Sequence, residues 1–389
     1  MILPHAVVVG LELNGLGVVR SLAAGGVPVV ALDSDKDRPT CSTRHARVIK
    51  APTLSGDALI EALLRLRRDF AESPILILTQ EASVATVSAR RSELTNAYRF
   101  SMPGNALMVR LLDKLAFQDF AEQHGFLIPR AVRLNSTSAG SMLEQLCFPC
   151  VLKPAVRAQG YSERFAKAYR VASPEEALSL WQDMCEVMPE IIVQEWIEGG
   201  DGDVYFCLQY RPPDKKPVTS FVGRKLRQWP RQVGGTACCL PAPQAAQTLA
   251  ETTDRFFGTA GFVGVCSMEY KRDRRDGQYY MVEPTVGRTD HQEEIATLNG
   301  VNIPLAAYYG ELGLTPPAFS AREVCGWRDP VADARARASA DHEPGSPLPL
   351  RDAYWRLHDP LPFLALQLSG ITDRLARLAR RSSGFVGHA

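Results

Sequence analysis

Three uninterrupted apolar runs, HAVVVG, VPVVALDSD and PILILT, fall within the first 80 residues, separated by stretches with helical spacing. An apolar run without polar alternation is buried on both faces, as in a parallel sheet covered by helices. GLGVVRSLAAGG supplies the first covering helix, with a stop at Gly25 and Gly26; GDALIEALLRLRRDFAES supplies a clearly amphipathic second one. Residues 1 to roughly 110 are therefore confined to a strand–helix alternation with right-handed crossovers.

The first turn of such a sheet invites a dinucleotide. GLELNGLG has glycines at 10, 15 and 17, so it lacks the G-x-G-x-x-G spacing that allows close approach to a pyrophosphate. ALDSD ends the next strand with acids that could meet a ribose, which keeps an NAD-dependent oxidoreductase as one rival reading.

Further on, RLLDKLAFQDFAEQHGFLIPR predicts one amphipathic helix that joins the first domain to a second. From CFPCVLKP onward, hairpins mixed with helices predict an α+β texture. SPEEALSLWQDMCEVMP reads as a helix capped by Ser173, with Pro174 in its first turn. Past about residue 313 the chain is Pro- and Ala-rich, then charged, and reads as an extended or partly disordered linker. GITDRLARLARR, near the end, reads as a short basic surface helix.

At 389 residues there is room for two or three domains, and a composition 46% hydrophobic and 22% charged is that of an ordinary soluble globular protein. A net charge of +1 gives no basic excess for nucleic acid. No apolar run reaches the ~18 residues a spanning helix needs. MILPHAVVVGLELNG has no basic start and reads as no secretory leader. Nine scattered cysteines suit reduced thiols in a cytoplasm; Cys147 and Cys150, in CFPC, and the Cys238–Cys239 pair read as structural.

The sharpest chemical signal is GVCSMEYKRDRRDGQYYMVEPT, read as a hairpin. With a three-residue RDG loop, Arg274 pairs with Gln278, and Glu269 falls opposite Glu283. Opposed residues share a face, with Cβ atoms about 4.5–5.5 Å apart. Two carboxylates that close must share a proton, be solvated, or hold a cation. The flanking Met268, Tyr280, Met281 and Val282 are not those of a solvated face, which favours the cation. Hard oxygen donors without His or Cys point to magnesium, which completes its shell with water and phosphates. Thr285 shares that face, and Arg288 lies beyond it.

Phosphates call for fixed cations. Lys153 in CVLKP, Lys114 in LLDKLAF, and Arg224 and Lys225 in FVGRKLRQ are the candidates. RAQGYSERF, residues 157–165, is a polar loop that could fold over phosphates. IIVQEWIEGGDGD offers a strand end, Glu195, Trp196 and Ile197, suited to a purine, with Asp201 or Asp203 for ribose hydroxyls.

Taken in order, the Lys of DK, the Lys of VLKP, QEWIEG, the basic RK, Glu269 and VEPTVGR resemble the ATP-grasp superfamily. Within it, the chain looks like the carboxylate–amine ligases related to D-aspartate ligase and the biotin carboxylase-like group. The resemblance covers roughly residues 1–312. It implies mixed α/β and α+β classes: a Rossmann-like parallel-sheet domain over 1–112, then a two-lobed ATP-grasp domain over 113–312. The small lobe would run to about 195, and a partly irregular extension would fill 313–389.

The resemblance also implies roles. Lys114, Lys153 and Arg224 would contact ATP, Glu195, Trp196 and Ile197 would line the adenine hinge, and Asp203 would hold the ribose. Glu269, Glu283 and Thr285 would bind Mg2+, while Lys225 and Arg288 would offset charge on the transferring phosphoryl group. The GLELNG loop would face the cleft, and Asp290 to Glu294 would meet the incoming amine. The usual Glu-x-Asn-x-Arg pattern is altered: Thr285 replaces Asn, and the Arg is displaced by one, to Arg288. That departure keeps a non-catalytic ATP-binding module open. The implied partners are a small carboxylate and an amine in the cytoplasm, with a homodimer left open.

Overall fold

The computed structural model describes residues 3–135, 142–154, 164–166, 168–214, 217–320, 323–339 and 345–370. The predicted RAQGYSERF loop, up to residue 163, and the basic segment after residue 370 lie outside them.

The three apolar runs form β1 (Ala6–Val9), β2 (Val29–Asp33) and β4 (Ile75–Leu78), joined at the edge by the more exposed β3 (Arg47–Lys50). The order is β3-β2-β1-β4, all parallel, with β1 buried along its whole length. Helices Leu13–Ala24 and Gly56–Leu66 cover the sheet.

The predicted connecting helix is two helices, Asn105–Leu112 and Lys114–Gln123. Asp113 breaks them: its side chain accepts from the backbone N–H of Leu115 (3.0 Å) and Ala116 (2.8 Å) and caps the second helix. The break sets Lys114 at the start of that helix.

An antiparallel sheet follows, in the order β5-β8-β6-β7, from β5 (Ala131–Leu134), β6 (Cys150–Pro154), β7 (Tyr169–Val171) and β8 (Ile191–Glu195). It packs with helix Pro174–Met184, capped by Ser173 as expected, around its own hydrophobic cluster. Cys150 is part of that core, and burial pushes its thiol up to about 12.

Among the described residues the central sheet has seven strands. β9 (Val204–Arg211), β10 (Thr219–Trp229), β11 (Gly235–Pro241), β12 (Gly264–Arg272) and β13 (Tyr279–Val286) are antiparallel, and the order is β13-β12-β9-β10-β11-β14-β15. β14 (Gly326–Arg328) and β15 (Leu350–Asp352) come from the stretch read as a linker, which also forms helix Pro330–Ala338. Local composition hid them because their anchors are distant in sequence. Arg20 places Nε 2.9 Å from Asp359 Oδ2, and Trp327 is buried against the core around Leu16 and Phe206.

Candidate active site

Glu269 and Glu283 are direct partners across β12 and β13. The hairpin reaches that register by a different route from the expected one. Asp273, not Arg274, pairs with Gln278: Asp273 N–H donates to Gln278 O (2.9 Å), and Gly277 N–H returns to Asp273 O (2.8 Å). The loop therefore has four residues and leaves the strands one position out of the expected register. A bulge restores it, because Tyr270 pairs with Met281 and Glu269 with Glu283, leaving Val282 extra. Met268, Tyr270 and Met281 are buried, whereas Glu269 is partly open and Glu283 exposed.

These acids line a cleft of about 450 Å³ between the small sheet and the central sheet. Such a volume suits a nucleotide-sized ligand. Lys114, Lys153, Glu195, Trp196, Ile197, Lys225, Thr285 and Arg288 line it too. The structure thus gathers ten of the twelve proposed site residues from six separate segments. Asp203 and Arg224 are not among the lining residues. Asp203 Oδ2 accepts from Gly200 N–H (2.8 Å) and Arg274 Nε (2.7 Å). Asp201 is committed to Gln228 and Gln232 of the neighbouring turn. Arg224 precedes Lys225 on β10, so strand alternation sends it to the other face.

The cations are held in place. Lys225, 3% exposed, lies 2.6 Å from Glu269 Oε2 and donates to Gln228 Oε1 at 3.2 Å. Lys153 Nζ donates to Gln194 Oε1 (2.7 Å), and Gln194 Nε2 in turn donates to Gln118 Oε1 (3.2 Å), a chain of amides that fixes the lysine. Lys114 Nζ reaches Pro154 O at 3.4 Å. Two residues escaped the sequence reading. Lys271 sits 5.2 Å from the Trp196 ring centroid, its ammonium lowered by burial despite Asp201, Asp203 and Glu269 nearby. Gln194 had no signal beyond being polar on an apolar strand.

The donor set suits magnesium. Two opposed carboxylates and the Thr285 hydroxyl are hard oxygen donors, and no group of three or more His, Cys, Asp or Glu fit to hold a metal occurs among the described residues. Such a donor set fits Mg2+ completed by phosphates and water.

Beyond the acids, Asp290, His291 and Gln292 also line the cleft. Asp290 Oδ2 accepts from Ser267 Oγ at 2.5 Å, and Arg288 lies 3.7 Å from Oδ1. The rest of the DHQEE segment turns inward. Glu293 is buried, and Glu294 pairs with Arg356 (2.7 Å) and Arg20 (3.6 Å). The GLELNG loop is likewise not a lining element: Asn14 is buried, donating to Thr79 O and Thr289 O.

The first sheet offers little to a dinucleotide. Asp33 is fully buried, and its two oxygens accept from the N–H groups of Leu11 (2.6 Å) and Asp35 (2.9 Å). A Cβ on Gly15 would lie 1.9 Å from Gly10 O, so that glycine serves helix-to-strand packing.

The fold recurs in solved structures, and the sequence has a curated relative. The chain is 25% identical over 315 residues to D-aspartate ligase from Enterococcus faecium (strain Aus0004), covering 76% of this chain and 74% of that protein. It is similar in structure to N5-carboxyaminoimidazole synthetase from Staphylococcus aureus complexed with ADP (TM-score 0.64, 15% identity, 84% of this chain and 82% of that one). It is also similar to biotin carboxylase from Campylobacter jejuni in its β-γ-ATP complex (TM-score 0.65, 13% identity, 82% and 74%). No protein-family model matches the chain.

Proposed function

We propose that the protein is an ATP-dependent ligase that joins a small carboxylate to an amine through an acyl phosphate, releasing ADP and phosphate. One observation carries the reading: Glu269 and Glu283 oppose each other in a cleft that is also lined by Lys114, Lys153 and Lys225. Opposed acids ringed by cations suit a magnesium–triphosphate, and the relatives named above are consistent with it.

In this reading Glu195, Trp196 and Ile197 flank the base, and Lys114 and Lys153 hold phosphates from the small-sheet side. Glu269 and Glu283, with Thr285, would hold Mg2+, which when bound neutralises charge on the β- and γ-phosphates. Lys225 and Arg288 offset the charge that builds on the γ-phosphoryl group as a carboxylate oxygen bonds to phosphorus and ADP leaves. The amine then attacks the acyl carbon and phosphate departs. The division at 112, 195 and 312 belongs to the same reading. Among the described residues no helix is long and apolar enough to cross a membrane.

The test is to supply ATP, Mg2+ and pools of carboxylates and amines and to follow nucleotide products. ADP release that depends on both pools is the expected result; AMP release, or none, overturns the proposal. Thr285, standing where an amide is usual, favours the second reading, a module that binds ATP without turnover, for which binding would persist with no ADP.

A further inference from the structure

We propose that His291 is the base that deprotonates the incoming amine, oriented by Asp329 of the C-terminal extension. The inference rests on the ligase reading and concerns the end of the cleft beyond the paired acids, where Arg288, Asp290, His291 and Gln292 meet.

The geometry is that of a supported base. His291 lines the cleft, and its Nε2 lies 3.8 Å from Asp329 Oδ2. Asp329 cannot swing freely: its Oδ1 accepts from the N–H groups of Val331 (2.9 Å) and Ala332 (3.2 Å) at the start of helix Pro330–Ala338. That leaves Oδ2 for the imidazole. The ring is braced edge-on against Trp327, at 5.4 Å between centroids and 90°. Trp327 is itself buried and donates from Nε1 to Glu294 Oε2 at 3.2 Å. A base held by a third group is how proton transfers are set up in active sites generally. The arrangement also gives the C-terminal strands and helix a chemical reason to complete the central sheet.

An amine arrives as an ammonium ion, drawn by Asp290. His291 takes one proton; the freed nitrogen lone pair forms the C–N bond with the acyl carbon as the C–O bond to phosphate breaks. The second proton leaves with the departing phosphate, which ends as hydrogen phosphate, and imidazolium returns the first to water.

Hydroxylamine separates this role from a structural one, because it is uncharged at neutral pH and needs no base to free its lone pair. ADP release is measured with the carboxylate pool and either the amine pool or hydroxylamine, for wild type, His291→Gln and Asp329→Asn. Asn still caps a helix, so the second variant keeps the fold. His291→Gln should lose about 10²–10⁴-fold with amines yet stay within about threefold of wild type with hydroxylamine. Asp329→Asn should show the same selectivity at about tenfold. Equal loss with both nucleophiles, or no loss with either, overturns the role of His291 and leaves the ligase reading standing. Wild type silent with both nucleophiles overturns that reading and this inference with it.

Discussion

Lys225 Nζ lies 2.6 Å from Glu269 Oε2, with the lysine side chain 3% exposed and the glutamate 32%. The two partners are thus unequally dependent on each other. Glu269 can fall back on water; Lys225 cannot.

Removing each partner should therefore cost different amounts. Glu269→Gln strands a buried ammonium beside Gln228 and should destabilise the fold by up to about 3 kcal/mol. Lys225→Met leaves a carboxylate that water can reach and should cost less than about 1 kcal/mol. The double variant should recover much of the loss of Glu269→Gln. Denaturant titration of the three proteins checks the order; equal costs for the single variants would contradict the buried-cation picture.

Glu283 tests metal binding with less structural interference. Its side chain is exposed on β13, so Glu283→Gln should keep stability within about 1 kcal/mol of wild type. ADP release should nevertheless fall by about 100-fold or more. Full activity in that variant, with thermal melts matched, would remove Glu283 from the site.

The C-terminal extension should be part of the folded unit. Arg20 and Asp359 are 3% and 0% exposed, and Asp359 also accepts from Thr43 Oγ1 and Arg44 N–H. Leaving either charge buried without its partner should cost about 3–5 kcal/mol. Asp359→Ala should therefore melt well below wild type; an unchanged melting temperature would mean that residues 350–360 are dispensable.

Glu293 gives a pH signature. Burial, then repulsion from Asp290, raises its carboxyl from 4.5 to about 8, and Oε1 has no hydrogen-bond partner among the described residues. The folded chain then holds a proton that the unfolded chain has released, so this group's contribution is fully present below the unfolded value and is lost as pH rises through about 8. Glu293→Gln mimics the neutral acid and should gain on wild type in melting temperature as pH is raised from about 5 to about 9. A constant difference across that range would contradict the raised value.

The sequence showed the parallel first sheet because buried strands leave an apolar run that needs no knowledge of neighbours. It showed the Glu269–Glu283 pairing by a coincidence of opposite deviations: the loop holds four residues instead of three, and Val282 bulges by one. Alternation along a strand survives a turn of unexpected length only when such a correction exists, and nothing in QYYMVEP announces it. Lys153 and Lys225 were legible because a cation on an apolar strand is costly without a partner. Asp203 misled because a short acid after glycines looks the same whether it caps a turn or faces a cleft. The C-terminal elements were hidden because Trp327, Arg356 and Asp359 are anchored by Glu294 and Arg20, at separations no local pattern reports.

Crystals grown with a non-hydrolysable ATP analogue and manganese in place of magnesium would locate the metal by its anomalous signal. The peak should lie bonded to both Glu269 and Glu283, with the analogue's phosphates between it and Lys153. A nucleotide seated at the strand ends of the first sheet, or a metal bound without either glutamate, would contradict the proposed site.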